Sequence, residues 1–363
     1  MRVLFLQQQP CMRALKYAAA LRAAYPRIRL AFAYQGKTLS GWYGSGDELF
    51  ERWWDLGSEP VEGLREAVRE FRPDLIHSHN LPDSLTAVAL EVFDGLVPVV
   101  HDIHDLQSLR RTPYEHGFPE PREPLALERL AVEESAALVA VSEEILEEIR
   151  ARYRPTAPML VFPNYALRRD LPPLLPPAER RNGHPPRLVY QGTLSTNGGH
   201  YDLREIFRAI VSESPSLDVY PSRAVPAYGE LAAGLAGLRV HETLPPRRLL
   251  AALPDYDFGW AGFNSALNGA HLDTCLPNKA YEYLGCGLPV LTLQHRALTR
   301  LVGEGRLGLS LTTVDDLVGQ LGAVDAVGLR RRVAAARLEL TMEANIGRLV
   351  ELYEGVAASA QGR

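Results

Sequence analysis

The feature that most restricts this chain is an alternation of short apolar runs with amphipathic stretches, repeated on both sides of a proline-dense segment. Such alternation builds βαβ units, and therefore parallel sheets with helices on their faces. In the first half, Val3–Leu6, Leu30–Tyr34, Leu75–Ser78, Val97–His101, Ala137–Val141 and Met159–Phe162 are predicted strands. Between them Leu64, Val68 and Phe71 recur at helical spacing, and Leu85, Val88, Ala89 and Val92 mark a second apolar face. Ser142 before Glu143 and Glu144 reads as an N-cap with acidic residues in the first turn, opening a helix over Glu143–Tyr153. In the second half, strands are predicted at Arg187–Gln191, Leu217–Tyr220, Leu238–His241, Phe258–Ala261, Pro289–Leu293 and Leu307–Leu311, with a long helical tail from Val327 to Ala358. Residues 168–186 hold six prolines, which forbid a regular helix or central strand there.

The expected organisation is an N-terminal Rossmann-like domain over 1–168, a linker over 169–186, a second Rossmann-like domain over 187–340 and a C-terminal helix over 341–363. Its length of 363 residues suits two domains, each able to bury a core without disulfides or metals. Ligands of such sheets sit at the carboxyl ends of the strands, so a cleft between the two domains is the expected site.

Charge and motif content narrow the function. A net charge of −5 gives no support for a nucleic-acid partner. Cys11, Cys275 and Cys286 form no CxxC pair and read as reduced thiols. No run approaches the roughly 20 apolar residues of a membrane span, and the opening Met1–Leu6 is too short for a signal-peptide core. The expected location is the cytoplasm, with the inner membrane face as the alternative. The absence of GxGxxG, of a Walker loop and of a nucleophile elbow disfavours a dehydrogenase, an NTPase and an α/β-hydrolase. Cations are almost all arginine: 36 of them stand against Lys16, Lys37 and Lys279, so each lysine is worth inspecting.

The most informative stretch runs from Leu276 to Leu291. Pro277 and Asn278 suit the opening of a helix, whose free N–H groups attract a phosphate. Lys279 adds a full charge in the first turn. Glu282 lies three residues on, along the same face, where a carboxylate can accept from a ribose diol. Gly285 and Gly287 end the helix, and a buried strand follows. The alternative is a solvated Lys–Glu pair on an ordinary helix.

At these residues the sequence resembles retaining glycosyltransferases of the two-domain GT-B fold, particularly the family 4 class. The resemblance continues through Asp74–Asn80, Val99–Asp105, Leu138–Glu143, Val161–Asn164 and Leu188–Leu194. It implies an α/β protein of two Rossmann-like domains facing each other across a cleft. It also implies hexosyl transfer from a nucleotide diphosphate sugar to a saccharide or lipid-linked glycan, with retention, without a metal or other cofactor, in polysaccharide biosynthesis. On this resemblance Glu282 binds the ribose, Lys279 the diphosphate, and Asn278 the same helix start. Gly192 and Thr193 let backbone approach the phosphates, and Asp273 and Thr274 face the donor sugar. Two features depart from the family pattern. Thr274 stands where a Glu is common, and Thr193 and Gly198 stand where Arg or Lys is common, which leaves leaving-group stabilisation to Lys279 and helix N-termini.

In the first half, His101-Asp-Ile-His-Asp105 follows a strand. By the same resemblance His104, with Asp105, matches the group near the acceptor and the reacting carbon, where an imidazole of ordinary pKa near 6.5 orients or deprotonates a hydroxyl. Two His and two Asp so close together also suit a metal, but no further cluster supports one and none is expected. His77 and His79 are read equally as sheet-edge or ligand residues. Asn80 and His101 are placed on the acceptor side, together with Gln9 and Arg13 from a first loop that lacks glycine. Arg110-Arg111 with Tyr114, Trp42, and Trp53-Trp54 are the candidates for peripheral membrane contact, against a reading of the last pair as core. The rival functions are a catalytically silent GT-B binding protein and a nucleotide-sugar epimerase.

Overall fold

The computed structural model describes residues 1–36, 47–110, 122–174, 185–213, 215–304, 306–315 and 317–361. Lys37, Trp42, Arg111, Tyr114 and most of the proline-rich segment lie outside the described residues. The chain divides into two compact units, Met1–Pro163 with Met342–Arg363, and Asn164–Thr341. Residues 164–168, assigned above to the first domain, group with the second unit.

The first unit holds a seven-stranded sheet built from β1 (Arg2–Gln7), β2 (Arg29–Tyr34), β3 (Trp53–Asp55), β4 (Leu75–His79), β5 (Val99–Ile103), β6 (Ala137–Ala140) and β7 (Met159–Val161). Its order is β3-β2-β1-β4-β5-β6-β7, with every pairing parallel. The second unit holds a six-stranded sheet of β8 (Arg187–Gly192), β9 (Ser216–Pro221), β10 (Leu238–Val240), β11 (Phe258–Trp260), β12 (Val290–Leu293) and β13 (Gly308–Leu311). Its order, β10-β9-β8-β11-β12-β13, is again wholly parallel. Both sheets run outward in two directions from a first strand, which is the doubly wound Rossmann arrangement with a switch point beside β1 and beside β8. The α/β class and the two Rossmann-like units are as the alternation predicts.

The strands are nearly continuous apolar runs because both faces are covered. Leu4, Leu6, Ile76 and Val99 pack under the helices Pro60–Phe71 and Ser84–Phe93. Ile103, Leu138 and Ala140 pack under Glu143–Arg152. That helix opens as expected, with Ser142 Oγ accepting from Ile145 N at 3.2 Å.

Three details differ from expectation. Strand β3 was not foreseen, because three residues at a sheet edge carry too little periodicity to register. Trp53 stacks on Phe32 with centroids 4.9 Å apart, and Trp54 is buried in the core, so this pair is sheet packing. The strand predicted at Val97–His101 lies at Val99–Ile103, since Pro98 cannot donate to the ladder. The single tail from Val327 to Ala358 is two helices, Ala326–Ala336 and Met342–Gln361. Between them Thr341 bridges to Ala166, and the chain leaves the second unit there.

Candidate functional site

In the second unit the site forms at the carboxyl end of β8, beside the switch point. The helix Asn278–Gly285 starts at Pro277, whose extended backbone suits an N-cap position, and places Asn278 first and Lys279 second. Cys286 follows at its end and Gly287, with φ +80°, turns the chain into β12. Lys279 and Glu282 are both buried, at 7% and 6% exposure, which removes the reading of a solvated surface pair. Glu282 Oε2 accepts from Gln191 Nε2 at 2.7 Å, so the carboxyl end of β8 holds the carboxylate in place. Tyr283, from the same helix, accepts at its hydroxyl from Gln191 N at 2.9 Å and locks helix to strand.

Lys279 sits in an aromatic enclosure. Its Nζ donates to the Tyr190 hydroxyl at 3.1 Å and lies 4.3, 5.7 and 5.3 Å from the ring centroids of Tyr190, Tyr201 and Phe263. Ring faces partly offset the lost hydration of an ammonium. They do not replace it, and burial lowers the Lys279 pKa to about 7 despite the opposing pull of Glu282. Gly192, with φ +127°, lies against this ammonium: a Cβ there would sit 3.5 Å from Nζ. The backbone is thus bare where Lys279 is. Thr193 is half-buried, and its carbonyl accepts from the Tyr190 hydroxyl at 2.6 Å.

Two expected donor residues have internal partners. Thr274 is buried, and its hydroxyl donates to the His271 carbonyl at 2.8 Å. Asp273 is more exposed and accepts from Arg296 N at 3.3 Å, holding the start of the helix Arg296–Glu304.

In the first unit a charged cluster forms at the carboxyl ends of β4 and β5. Its centre is Asp102, fully buried in β5. Arg13 Nε lies 3.0 and 3.1 Å from its two oxygens, and the same guanidinium donates to the Phe162 carbonyl at 2.6 Å. His77 Nε2 lies 3.3 Å and His104 Nε2 3.4 Å from the carboxylate, with His79 Nδ1 at 4.0 Å. Burial would raise the Asp102 pKa, but Arg13 and the three imidazoles hold it well below the ordinary carboxylate range. Tyr353, from the last helix, bonds His77 Nδ1.

His104 follows β5 and keeps 20% of its side chain exposed, whereas His77 and His79 are covered. Burial lowers its pKa to about 4 against the opposing pull of Asp102, so the imidazole is neutral at neutral pH. Asn80 positions this loop: its Oδ1 accepts from His104 N at 2.8 Å and its Nδ2 donates to the Asp105 carbonyl at 2.6 Å. Asp105 is half-buried beside it.

Of the remaining acceptor-side candidates, Arg13 joins this cluster, whereas His101 pairs elsewhere and Gln9 lies on the surface. His101 is buried within β5, 3.3 Å from Asp83 and 3.2 Å from Thr86 Oγ1. Gln9 is exposed on the first loop, while Arg13 is buried as the counter-charge of Asp102. Gln7, not singled out in the sequence, shapes that loop by accepting from Cys11 N at 3.1 Å. Tyr190 and Gln191 were likewise passed over, and Asp102 was weighed only as one of the two acidic groups of the His101–Asp105 run. A carboxylate inside a central strand was the available signal, since a buried charge demands a partner.

Residues 13–165 match the glycosyl transferase 4-like domain family. The chain has the GT-B fold, and the family match covers less than half of its length. It is 26% identical over 290 residues to glycogen synthase from Mycobacterium tuberculosis, an alignment covering 76% of this chain and 66% of that protein, so it spans about two thirds of that relative's length. Among solved structures it resembles sucrose-phosphate synthase from Thermosynechococcus elongatus with a TM-score of 0.74 at 13% identity, over 99% of this chain and 100% of the other. It resembles Anabaena HepE in complex with UDP-glucose with a TM-score of 0.67 at 14% identity, over 100% of both chains. These structural likenesses show the GT-B fold. Among the described residues no helix is long and apolar enough to cross a membrane.

Proposed function

We propose that this protein is a retaining, metal-independent glycosyltransferase that moves a hexosyl group from a nucleotide diphosphate sugar to a saccharide or glycoconjugate acceptor. The observation that carries this reading is the buried Lys279–Glu282 pair set against the bare backbone of Gly192. A buried cation, a fixed carboxylate and an unhindered peptide meet at a strand end. Lys279 is suited to the diphosphate, Glu282 to the ribose hydroxyls, and Gly192 with Thr193 to close backbone approach. Preorganised charge facing a departing diphosphate supplies the largest catalytic term for such a reaction.

The first unit would hold the acceptor. His104, neutral and partly exposed, accepts a hydrogen bond from an acceptor hydroxyl. With its pKa held near 4 it is a weak base, so orientation is its stronger contribution. The glycogen synthase relative and the UDP-glucose complex of HepE favour a nucleotide-activated sugar as donor.

The test is a thermal-shift panel of UDP, GDP, ADP, TDP and their sugars. A ligand at 100 times its Kd stabilises by about 2.7 kcal/mol, and Glu282→Ala should abolish that shift. If no nucleotide raises the melting temperature of the wild type, the donor assignment fails. Donor incubated without acceptor should give no isomerised sugar; its appearance would favour an epimerase.

A further inference from the structure

We propose that Cys11, His79 and His104 form a binding site for a zinc-type divalent cation in the first unit. One donor atom from each of these side chains lies within 4.8 Å of the other two. A thiolate with two imidazoles suits zinc or a similar borderline-soft ion. A tetrahedral ion with bonds of about 2.0–2.3 Å holds its ligand atoms roughly 3.3–3.8 Å apart, so closure needs a shift of at most about 1.5 Å.

Three further observations favour this set. His79 is 1% exposed; its Nδ1 lies 3.3 Å from His104 Nε2, so the two rings already converge, and its Nε2 has no hydrogen-bond partner among the described residues. Cys11 is the N-cap of the helix Met12–Ala24, where its Sγ accepts from Ala14 N at 3.5 Å; burial raises its pKa, so an ion would displace the thiol proton. The Asp102 carboxylate lies 4.0 Å from His79 Nδ1 and 3.4 Å from His104 Nε2, a negative charge beside both imidazoles. The neighbouring trio of His77, His79 and Asp102 is a poorer candidate. Arg13 already occupies both oxygens of Asp102, and Tyr353 occupies His77 Nδ1. The fourth position would be open to water.

Zinc held there takes His104 away from an acceptor hydroxyl, so the ion acts as an inhibitor. That consequence, unlike the site itself, rests on the proposed role of His104. The experiment starts from full-length protein stripped of metal by a chelator. Zn2+ is titrated against a chromophoric competitor, and Co2+ serves as a spectroscopic probe because cobalt–thiolate bonding gives an intense near-ultraviolet charge-transfer band. One equivalent of each ion should bind.

Cys11→Ser, which keeps an N-cap acceptor, should remove the band. It should also weaken Zn2+ by more than the roughly 10- to 100-fold typical of losing an outer-shell partner. Cys275→Ser should leave both unchanged. Equal Zn2+ affinity in wild type and Cys11→Ser, or a band lost only with Cys275→Ser, overturns the site. Transfer should be inhibited by Zn2+ in wild type and not in Cys11→Ser. Zinc bound through Cys11 with undiminished transfer leaves the site standing and removes His104 from the reaction.

Discussion

Lys279 is the residue on which the donor reading turns, and its burial makes a measurable demand. An ammonium with a pKa of about 7 is half neutral at that pH in the free protein. A diphosphate beside it favours the charged form, so donor binding takes up a proton above pH 7. The sign follows: nucleotide-sugar affinity should fall as pH rises beyond about 7, by up to tenfold per unit, until the bound-state pKa is passed. Calorimetric titration at pH 6.5 to 9, in buffers of different ionisation enthalpy, measures both the affinity and the proton count. A Kd that stays flat across that range, with no buffer dependence, would remove Lys279 from the diphosphate. At this scale the sequence was informative about identity and silent about environment. Lys279 and Glu282 stood out by spacing, but the rings of Tyr190, Tyr201 and Phe263 come from distant segments. Nothing local to residue 279 announces them.

The element that organises the donor side is the pairing of β8 with the helix Asn278–Gly285. Gln191 grips Glu282 and Tyr283, and Gly192 ends the strand in a backbone conformation that L side chains rarely adopt. Gly192→Ala would add strain at φ +127° and a methyl group 3.4 Å from Lys279 Cε. The expected cost is about 1–2 kcal/mol of stability, with a larger proportional loss of donor affinity, read by urea unfolding and nucleotide-sugar titration. Unchanged stability and affinity would mean that the backbone there is not approached. Strand existence was legible for twelve of the thirteen strands among the described residues, because buried parallel strands are nearly continuous apolar runs bounded by turns. Strand β3 was not, since three residues offer no period to detect. The break within the last helical stretch was missed for the opposite reason. Helical spacing persists on either side of residues 337–341, and only packing shows that the two parts belong to different units.

For the molecule as a whole, the last helix has the largest structural consequence. Met342–Gln361 groups with the first unit, packs on the helix Met12–Ala24 and supplies Tyr353 to His77. It buries Ile346, Leu349, Val350, Tyr353 and Val356, each worth about 1.5–3 kcal/mol for the larger side chains. Deleting residues 342–363 should therefore lower the melting temperature of the first unit by many degrees, or unfold it, while the second unit keeps its own transition. Calorimetry resolves the two, and limited proteolysis should cut the first unit preferentially. Coincident loss of both transitions would contradict independent cores.

The sequence alone determined the class of this protein. Alternation of apolar runs and helical faces is written within short windows, so twelve of the thirteen strands among the described residues and a twofold α/β plan follow from local periodicity. It also marked the turn near residue 280, because helix-opening residues and a rare lysine lie side by side. Tertiary structure decided what those residues are able to do. Asp102 gathers Arg13, His77 and His104 across separations as large as 89 residues, and Tyr353 reaches His77 across 276. Burial and pairing set protonation, and both are properties of the packed chain that no window of sequence contains.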